Sequence, residues 1–438
     1  MSTTPASVHS PRGDTSPRAV LWVLLFVYIL NFLDRQIVNI LAEPIKRDLN
    51  LSDTQVGLMT GLAFALLYTF LGIPIARYAD NPKSTRVGLI SVSLAFWSGM
   101  TALCGLAQNF FQLLLARVGV GVGEAGCTPA AHSLISDTVA PEKRSSAMAF
   151  YGLGIPIGGL IGMVMGGLVA DAYGWRTAFL LAGVPGILFA IVLPFLMREP
   201  RRSGTAAGKA TQAARPAALA MGPSLKVIGQ SRAMVLLVIA ASLVAFLAYG
   251  KTVWTAIFFI RVHGLSPGET GLWLGISVGL AAMLGTWLGG YFADRFGAGK
   301  PRNIVLAPAI GLFLGAPLLF AGYIANDWQI GLVLIVVATV LNYFYYGPTF
   351  ACVQGLVPPQ ARAMASAVML FAQNLIGLGL GPLFFGMLSD ALKPVAGADS
   401  VRWVLYGAAW LGIIPALFFW FARKHLDREM GGAATASA

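Results

Sequence analysis

Charge is what this chain has least of. Of its 438 residues, 11% are Asp, Glu, Lys or Arg, while 57% are hydrophobic and the mean hydropathy is +0.74. A water-soluble domain carries about 25% charged residues, so a large soluble fold is excluded and a polytopic membrane protein is expected. Cysteine is nearly absent too. Cys104, Cys127 and Cys352 fall inside apolar segments without metal-ligand spacing, so neither a disulfide framework nor a metal site is expected, and no cofactor is implied. The net charge of +12 is spread over short connectors rather than gathered on one face, which argues against nucleic acid as a partner. Residues 1–17 contain Pro5, Pro11 and Pro17 but lack the apolar core of a cleavable signal, and read as a disordered tail. No nucleophile–base pair or phosphate loop stands in a credible context, so an enzyme is not expected.

What is present is a succession of apolar runs long enough to cross a hydrocarbon layer, which takes about 20 helical residues. The first is Val20 to Leu41. Others follow near 54–79, 84–107, 109–138, 143–170 and 176–197, and again at 233–261, 268–293, 302–324, 328–355, 361–390 and 402–422. The expected fold is an all-α membrane protein with twelve transmembrane helices in two pseudo-symmetric six-helix bundles. Residues 18–197 form one bundle and 233–427 the other. They are joined by a linker at 198–232, with a tail at 428–438. Counting Lys and Arg outside the spans gives 21 on the side of the termini and 6 on the other. The positive-inside rule therefore places both termini and the linker in the cytoplasm, and a bacterial inner membrane is the expected location.

The halves repeat one another. Pro141-Glu142-Lys143-Arg144 matches Pro359-Gln360-Ala361-Arg362, and Ala76-Arg77 matches Asp294-Arg295, both at an offset of 218. Leu51-Ser52…Gly57-Leu58 returns as Leu265-Ser266…Gly271-Leu272. A doubled six-helix unit of parallel topology is the architecture of a rocking transporter, with substrate held between the halves near mid-membrane.

Several motifs carry bland readings beside functional ones. Gly121-Val122-Gly123-Glu124-Ala125-Gly126 matches a dinucleotide fingerprint in letters only, because it lies in a membrane-length helix rather than after a strand. Gly152, Gly154, Gly158, Gly159, Gly162, Gly166 and Gly167 run down the fifth span around Pro156; small residues at this spacing permit tight helix crossing, and packing alone accounts for most of them. Gly290-Tyr291-Phe292-Ala293-Asp294-Arg295-Phe296-Gly297 resembles the signature loop of the major facilitator superfamily. Its first-half copy keeps Gly72 and Arg77 but has Ala76 at the acidic position, with Asp80 four residues late. Arg77, Asp80, Asp294, Arg295 and Arg144 are the candidate gating residues.

Asn31-Phe32-Leu33-Asp34-Arg35, the run Leu51 to Leu58, Arg117 through Glu124-Ala125, and Gly174-Trp175-Arg176-Thr177-Ala178-Phe179 together resemble the spinster family, a branch of that superfamily. The likeness spans nearly the whole chain and is densest in its first half. It implies that Asp34 is the proton site, partnered by Arg117 and Glu124 of the fourth span. It also implies a lysophospholipid- or sphingolipid-like substrate.

The residues themselves lead to the same place. A carboxylate and a guanidinium at mid-depth are costly unless they face protein or water. Asp34 and Arg35 are neighbours in sequence, point about 100° apart on a helix, and so make a poor pair. Away from the span ends, Arg117 is the only cation in the other five spans of the first half, and Arg117 and Glu124 stand two turns apart on one face. The expectation is that Asp34 pairs with Arg117 in one state and is neutral in another, with Glu124 competing for the arginine and Arg35 nearby. The alternative is a permanent salt bridge between the first and fourth helices. For substrate, the candidates are Tyr28 and Asn31 in the first span, Lys251 and Trp254 in the seventh, Asn342, Tyr343 and Tyr346 in the tenth, and Gln373 and Asn374 in the eleventh. Aromatics with one cation and a few amides suit an amphipathic anion, although packing explains a share of them and Lys251 also has room to snorkel. The function expected is proton-coupled alternating-access transport of a lipid-like anion by a monomer in the bilayer. A proton-driven exporter of small solutes or drugs is the alternative, and a non-transporting sensor is disfavoured.

Overall fold

The first apolar run becomes a helix over Pro17–Leu49. Ser16 starts it by accepting from the Ala19 amide at 3.3 Å, and Asn50, at φ 51°, ends it in the left-handed region. At 1.5 Å per residue its 33 residues reach about 50 Å, so its last turns stand beyond a hydrocarbon core and carry Glu43, Lys46 and Arg47. This computed structural model describes residues 16–81, 84–140, 143–197, 199 and 221–435. Most of the expected disordered tail and much of the linker lie outside these residues.

The later spans of the first half are Asp53–Ala79, Arg86–Leu106, Phe110–Thr138, Ser146–Tyr173 and Trp175–Leu196. The second half continues with Arg232–Val262, Pro267–Gly297, Pro301–Ile324 and Trp328–Gly355. The last apolar stretch, Pro359–Met430, is 72 residues long. It turns at Gly397, whose φ of 55° suits glycine, and so supplies the eleventh and twelfth helices. Within the linker, Met221–Gln230 is helical and packs against the start of the eleventh span. The twelfth helix runs through Thr435, so much of the segment read as a tail is helical. Glu429 on it accepts from the Ser231 hydroxyl and the Ala233 amide, which caps the seventh helix.

Glycine decides which helices touch. A β-carbon at Gly154, Gly158, Gly162 or Gly166 would come within 3.0 Å of Tyr28, Ile29, Leu33 or Ile37 respectively. The fifth span is thus pressed against the first at every turn, which fixes the rotation of the helix that carries Asp34 and Arg35. Gly121 and Gly123 do the same for the fourth span against Phe64 and Trp97. The fingerprint-like glycines are packing residues.

The helices are not uniform. The fourth ends its first segment at Glu124 and resumes at Cys127. The tenth breaks at the matching place in the repeat, over Tyr343–Tyr345. Wide π-turns occupy Leu58–Leu62 of the second span and Gln373–Leu380 of the eleventh. They meet across the two halves, where Gly61 lies against the carbonyls of Leu378 and Gly379.

Candidate functional site

The polar cluster of the first half is assembled from three helices. Asp34 and Arg35 come from the first span, Thr101 and Trp97 from the third, Arg117 and Glu124 from the fourth. Asn31, Asp34, Arg117 and Glu124 are each at most 1% exposed. Glu124 is the last residue before the break in the fourth span.

The ion pair in this cluster is Arg35 Nε to Glu124 Oε2 at 2.6 Å. In this arrangement Glu124 is held by Arg35 rather than by Arg117, the arginine for which it was expected to compete. Arg35 points away from Asp34, as their adjacency requires, and Glu124 takes it. The Arg35 guanidinium is also clasped by three rings, Phe32 at 5.0 Å, Phe64 at 4.9 Å and Tyr68 at 4.4 Å. Arg117 lies 5.5 Å from the centre of the Phe64 ring, so both guanidiniums contact that one ring.

Asp34 is left without a partner. Neither of its oxygens accepts a hydrogen bond, and among the described residues it forms no ion pair. Arg117 Nε and Nη1 are also unsatisfied, as are both polar atoms of Asn31 and Oε1 of Glu124. Glu124, Arg117, Thr101 and Trp97 surround Asp34, and the Thr101 hydroxyl and Trp97 indole are near enough to attract it without reaching hydrogen-bond geometry. The cluster therefore holds more donors and acceptors than it joins, which is the condition for a second arrangement of the same groups.

Beside the cluster, a cavity between the halves is lined by Phe32, Arg35, Gln36, Asn39, Thr60 and Phe64 on one side and by Tyr249, Val253, Leu378 and Pro382 on the other, with Arg117 at its wall. Its volume is about 30 Å³, too little for a lipid-sized ligand in this state. Gln36, Asn39, Thr60, Phe64 and Tyr68 were not among the sequence candidates; Gln36 lies in the polar stretch that pointed to Asp34, while Phe64 and Tyr68 carry no signal that separates them from other aromatics.

The substrate candidates of the second half are placed differently from expectation. Lys251 is two residues from both Tyr249 and Val253, which line the cavity, so on a helix it faces roughly the opposite way; it is half-buried. Trp254 is fully buried and donates its indole N–H to the Pro382 carbonyl at 3.0 Å, so it locks the seventh helix to the eleventh. Asn342 packs its amide onto Gly315 of the ninth span. Tyr343 packs on Gly285, and Tyr346 is 40% exposed. Gln373 is buried and Asn374 half-buried, both in the π-turn of the eleventh span. In the first half, Tyr28 stacks on Tyr151 at 4.1 Å.

The gating candidates cluster at the end of the bundle that carries the termini. Arg77, Asp294 and Arg295 are exposed there and form no ion pair among the described residues. Arg144 donates to the Val139 carbonyl of its own connector at 3.1 Å, and the Asp80 side chain lies outside what is described. The charged residue that sequence reading missed at this end is Arg86, fully buried and bonded to Asp137 and to Glu199 at 2.6 Å. It ties the third, fourth and sixth helices together within one half. The charges that join the halves are at the far end. Arg261 of the seventh span pairs with Glu43 at 2.7 Å and with Asp53 at 3.1 Å. Lys46 and Lys393 also reach Asp53, Lys393 at 3.4 Å, and Ser389 donates to it at 2.6 Å. Among the described residues, the ion pairs that cross between the halves all lie at the far end.

Residues 24–382 match the family model described as Major Facilitator Superfamily. Over 437 residues, 98% of this chain and 99% of the relative, the sequence is 32% identical to an MFS-type efflux pump of Mycolicibacterium smegmatis. It is 26% identical to Protein spinster homolog 1 of Xenopus laevis, over 96% of this chain and 84% of that protein. Among solved structures, a bacterial homolog to the human lysosomal transporter Spinster, in an inward-facing and unoccupied conformation, superposes with a TM-score of 0.83 at 31% identity, covering 94% of this chain and 98% of that one.

Proposed function

We infer that this chain, which belongs to the major facilitator superfamily and to the neighbourhood of its spinster proteins, is a proton-coupled secondary transporter of an amphipathic, lipid-like anion. Membership makes it a multi-pass membrane transporter; coupling and substrate are our reading. The observation that carries the coupling is Asp34, 1% exposed with both oxygens unpartnered. An ionised carboxylate in that position, with no hydrogen-bonded counter-charge, costs several kcal/mol, and a neutral carboxyl does not. In this state we therefore assign Asp34 a proton, while Glu124 holds Arg35. In the opposite state Asp34 ionises against Arg117, whose Nε and Nη1 are without hydrogen-bond partners here. Arginine keeps its charge throughout and acts as the fixed counter-ion.

The bundle is inward-facing on this reading, because the count of basic residues assigns its terminal end to the cytoplasm. The substrate site is the cavity beside Arg35 and Arg117, enlarged when the halves rock. Two guanidiniums bordered by Phe32, Phe64, Tyr249 and Leu378 suit an acidic head group followed by an apolar chain. The similarity to an efflux pump favours a second reading, export of small solutes or drugs through the same proton site. The test is transport in proteoliposomes across an imposed pH gradient. Asp34→Asn is expected to keep substrate exchange and lose its dependence on the gradient. Proton dependence retained in Asp34→Asn removes that residue from the coupling. Native mass spectrometry of bound lipid separates the two substrate classes.

A further inference from the structure

The repeated Leu-Ser…Gly-Leu stretch has a partner in the other half, and the pairing occurs twice. Leu51 to Leu58 opens the second span and Leu265 to Leu272 opens the eighth, 214 residues later. In each, the serine builds a capping box, Ser52 with Gln55 and Ser266 with Glu269, which satisfies donors on its own helix. Other first-turn amides are satisfied from across the interface. Asp390 of the eleventh span accepts from the amides of Asp53 at 3.1 Å and Thr54 at 2.7 Å. Asp171 of the fifth span accepts from the amide of Gly268 at 2.8 Å. Thr54 and Gly268 are equivalent in the repeat, and so are Asp390 and Asp171.

Glycines make these caps reachable. Asp171 ends Gly167-Leu168-Val169-Ala170-Asp171, and Asp390 ends Gly386-Met387-Leu388-Ser389-Asp390, at an offset of 219. A β-carbon at Gly167 would come within 3.0 Å of the Pro267 carbonyl, and one at Gly386 within 3.0 Å of the Asp53 carbonyl. The contact is returned. Gly57 lies equally close to the Pro382 carbonyl and Gly271 to that of Met163, two positions that again differ by 219. Thus a Gly-x-x-x-Asp helix end from one half docks on a Ser-capped helix start from the other, twice, around the pseudo-two-fold axis.

We propose that these two docking units are the latch that holds the far end of the bundle shut, and that both carboxylate caps are given up when the transporter opens there. A carboxylate on a helix N-terminus gains from the unpaired amides and from the helix dipole, and both gains vanish once the halves separate. The units are unequal in one respect. Asp390 also holds Lys393 at 2.6 Å and the Thr54 hydroxyl at 2.7 Å, and its unit adjoins the charges gathered on Asp53. Among the described residues Asp171 has no ion pair. The seam between the fifth and eighth helices therefore resists opening with its cap and its packing alone. This inference rests on the chain being an alternating-access transporter, but not on which ion or substrate it carries.

The experiment reads access directly. A reporter cysteine at Asn39, in the cavity beneath the seal, is labelled in sealed vesicles of each orientation with a membrane-impermeant maleimide; the natural cysteines are buried. Each of Asp171→Ala and Asp390→Ala is expected to raise the labelling rate from the far side roughly 5-fold or more, the range of a lost N-cap, with the double variant higher than either. Gly268→Ala serves as a second probe. It favours the helix it sits in, yet its β-carbon would fall against the Asp171 carboxylate and displace the cap, so it too is expected to raise far-side labelling without loss of folding. Asp48→Ala, which breaks a pair with Arg176 inside one half, is expected to leave labelling unchanged. Unaltered far-side labelling in the double variant and in Gly268→Ala, with protein monodisperse, overturns the latch, as does an equal rise in Asp48→Ala. Because labelling needs neither a proton gradient nor a substrate, a failure of the coupling scheme leaves this result untouched.

Discussion

Glu124→Gln and Arg35→Gln remove opposite members of the same buried pair, and their costs should differ in a way the geometry dictates. Deleting one partner of a buried ion pair costs about 3–5 kcal/mol, because the remaining charge is stranded. In Glu124→Gln the stranded charge is Arg35. It keeps the faces of Phe32, Phe64 and Tyr68 and is 13% exposed, so the loss should fall near the lower bound, about 3 kcal/mol. In Arg35→Gln the stranded group is Glu124, fully buried with Oε1 already unsatisfied. The ring contacts go as well, at about 0.5–1 kcal/mol each, so the loss should approach about 5 kcal/mol. The double variant strands nothing and should be no worse than Arg35→Gln, which gives a coupling energy of at least about 3 kcal/mol. For a chain this long, 1 kcal/mol corresponds to roughly 1–2 °C by size scaling. Thermal unfolding in detergent at one fixed scan rate, needed because such unfolding is irreversible, should therefore show Glu124→Gln melting roughly 3–6 °C and Arg35→Gln roughly 5–10 °C below the parent. Losses that add fully in the double variant would refute the pair, and a larger loss in Glu124→Gln than in Arg35→Gln would refute the role of the rings.

Other expectations are simpler. Glu199→Gln should cost less than the roughly 3–5 kcal/mol of a stranded buried charge, since Asp137 still pairs with the fully buried Arg86 although the bonds from the Arg86 and Val87 amides are weakened; limited proteolysis at the terminal end of the first half would reveal it. Asp48→Ala breaks a pair whose members are 41% and 46% exposed, so its cost should stay below about 1 kcal/mol and shrink further in high salt. His263, in the turn between the seventh and eighth spans, is held below the ordinary imidazole value by burial and then by the Arg402 guanidinium. A histidine shifted that way supports folding fully above its unfolded value, about 6.5, and the support is lost as pH falls below it. His263→Gln should accordingly flatten the slope of stability against pH just below that value, which a melting series across pH would measure.

The spans, their doubling, and the unusual polar stretch of the first helix were legible in the sequence, because membrane-length apolar runs and repeated connectors are local properties of the chain. So was the poor match between Asp34 and Arg35, which follows from helical geometry alone. The choice of Arg35 rather than Arg117 as the partner of Glu124 was not. That depends on the angle at which the first helix is rolled, set by Gly154, Gly158, Gly162 and Gly166 of the fifth. Lys251 and Trp254 looked like ligand groups because their neighbours are aromatic, but sequence does not say which side of a fully apolar helix meets a cavity; only packing assigns it.

By itself the sequence determined that this is a twelve-helix, two-fold membrane protein with ionisable groups near the middle of its first half. Apolar length and repetition require no knowledge of what lies next to what. The tertiary structure decided which charges meet, which one is left over, and which end is shut. Those outcomes turn on contacts between residues hundreds of positions apart, such as Arg261 on Glu43 and Asp390 on Thr54, and such contacts exist only once the halves are docked.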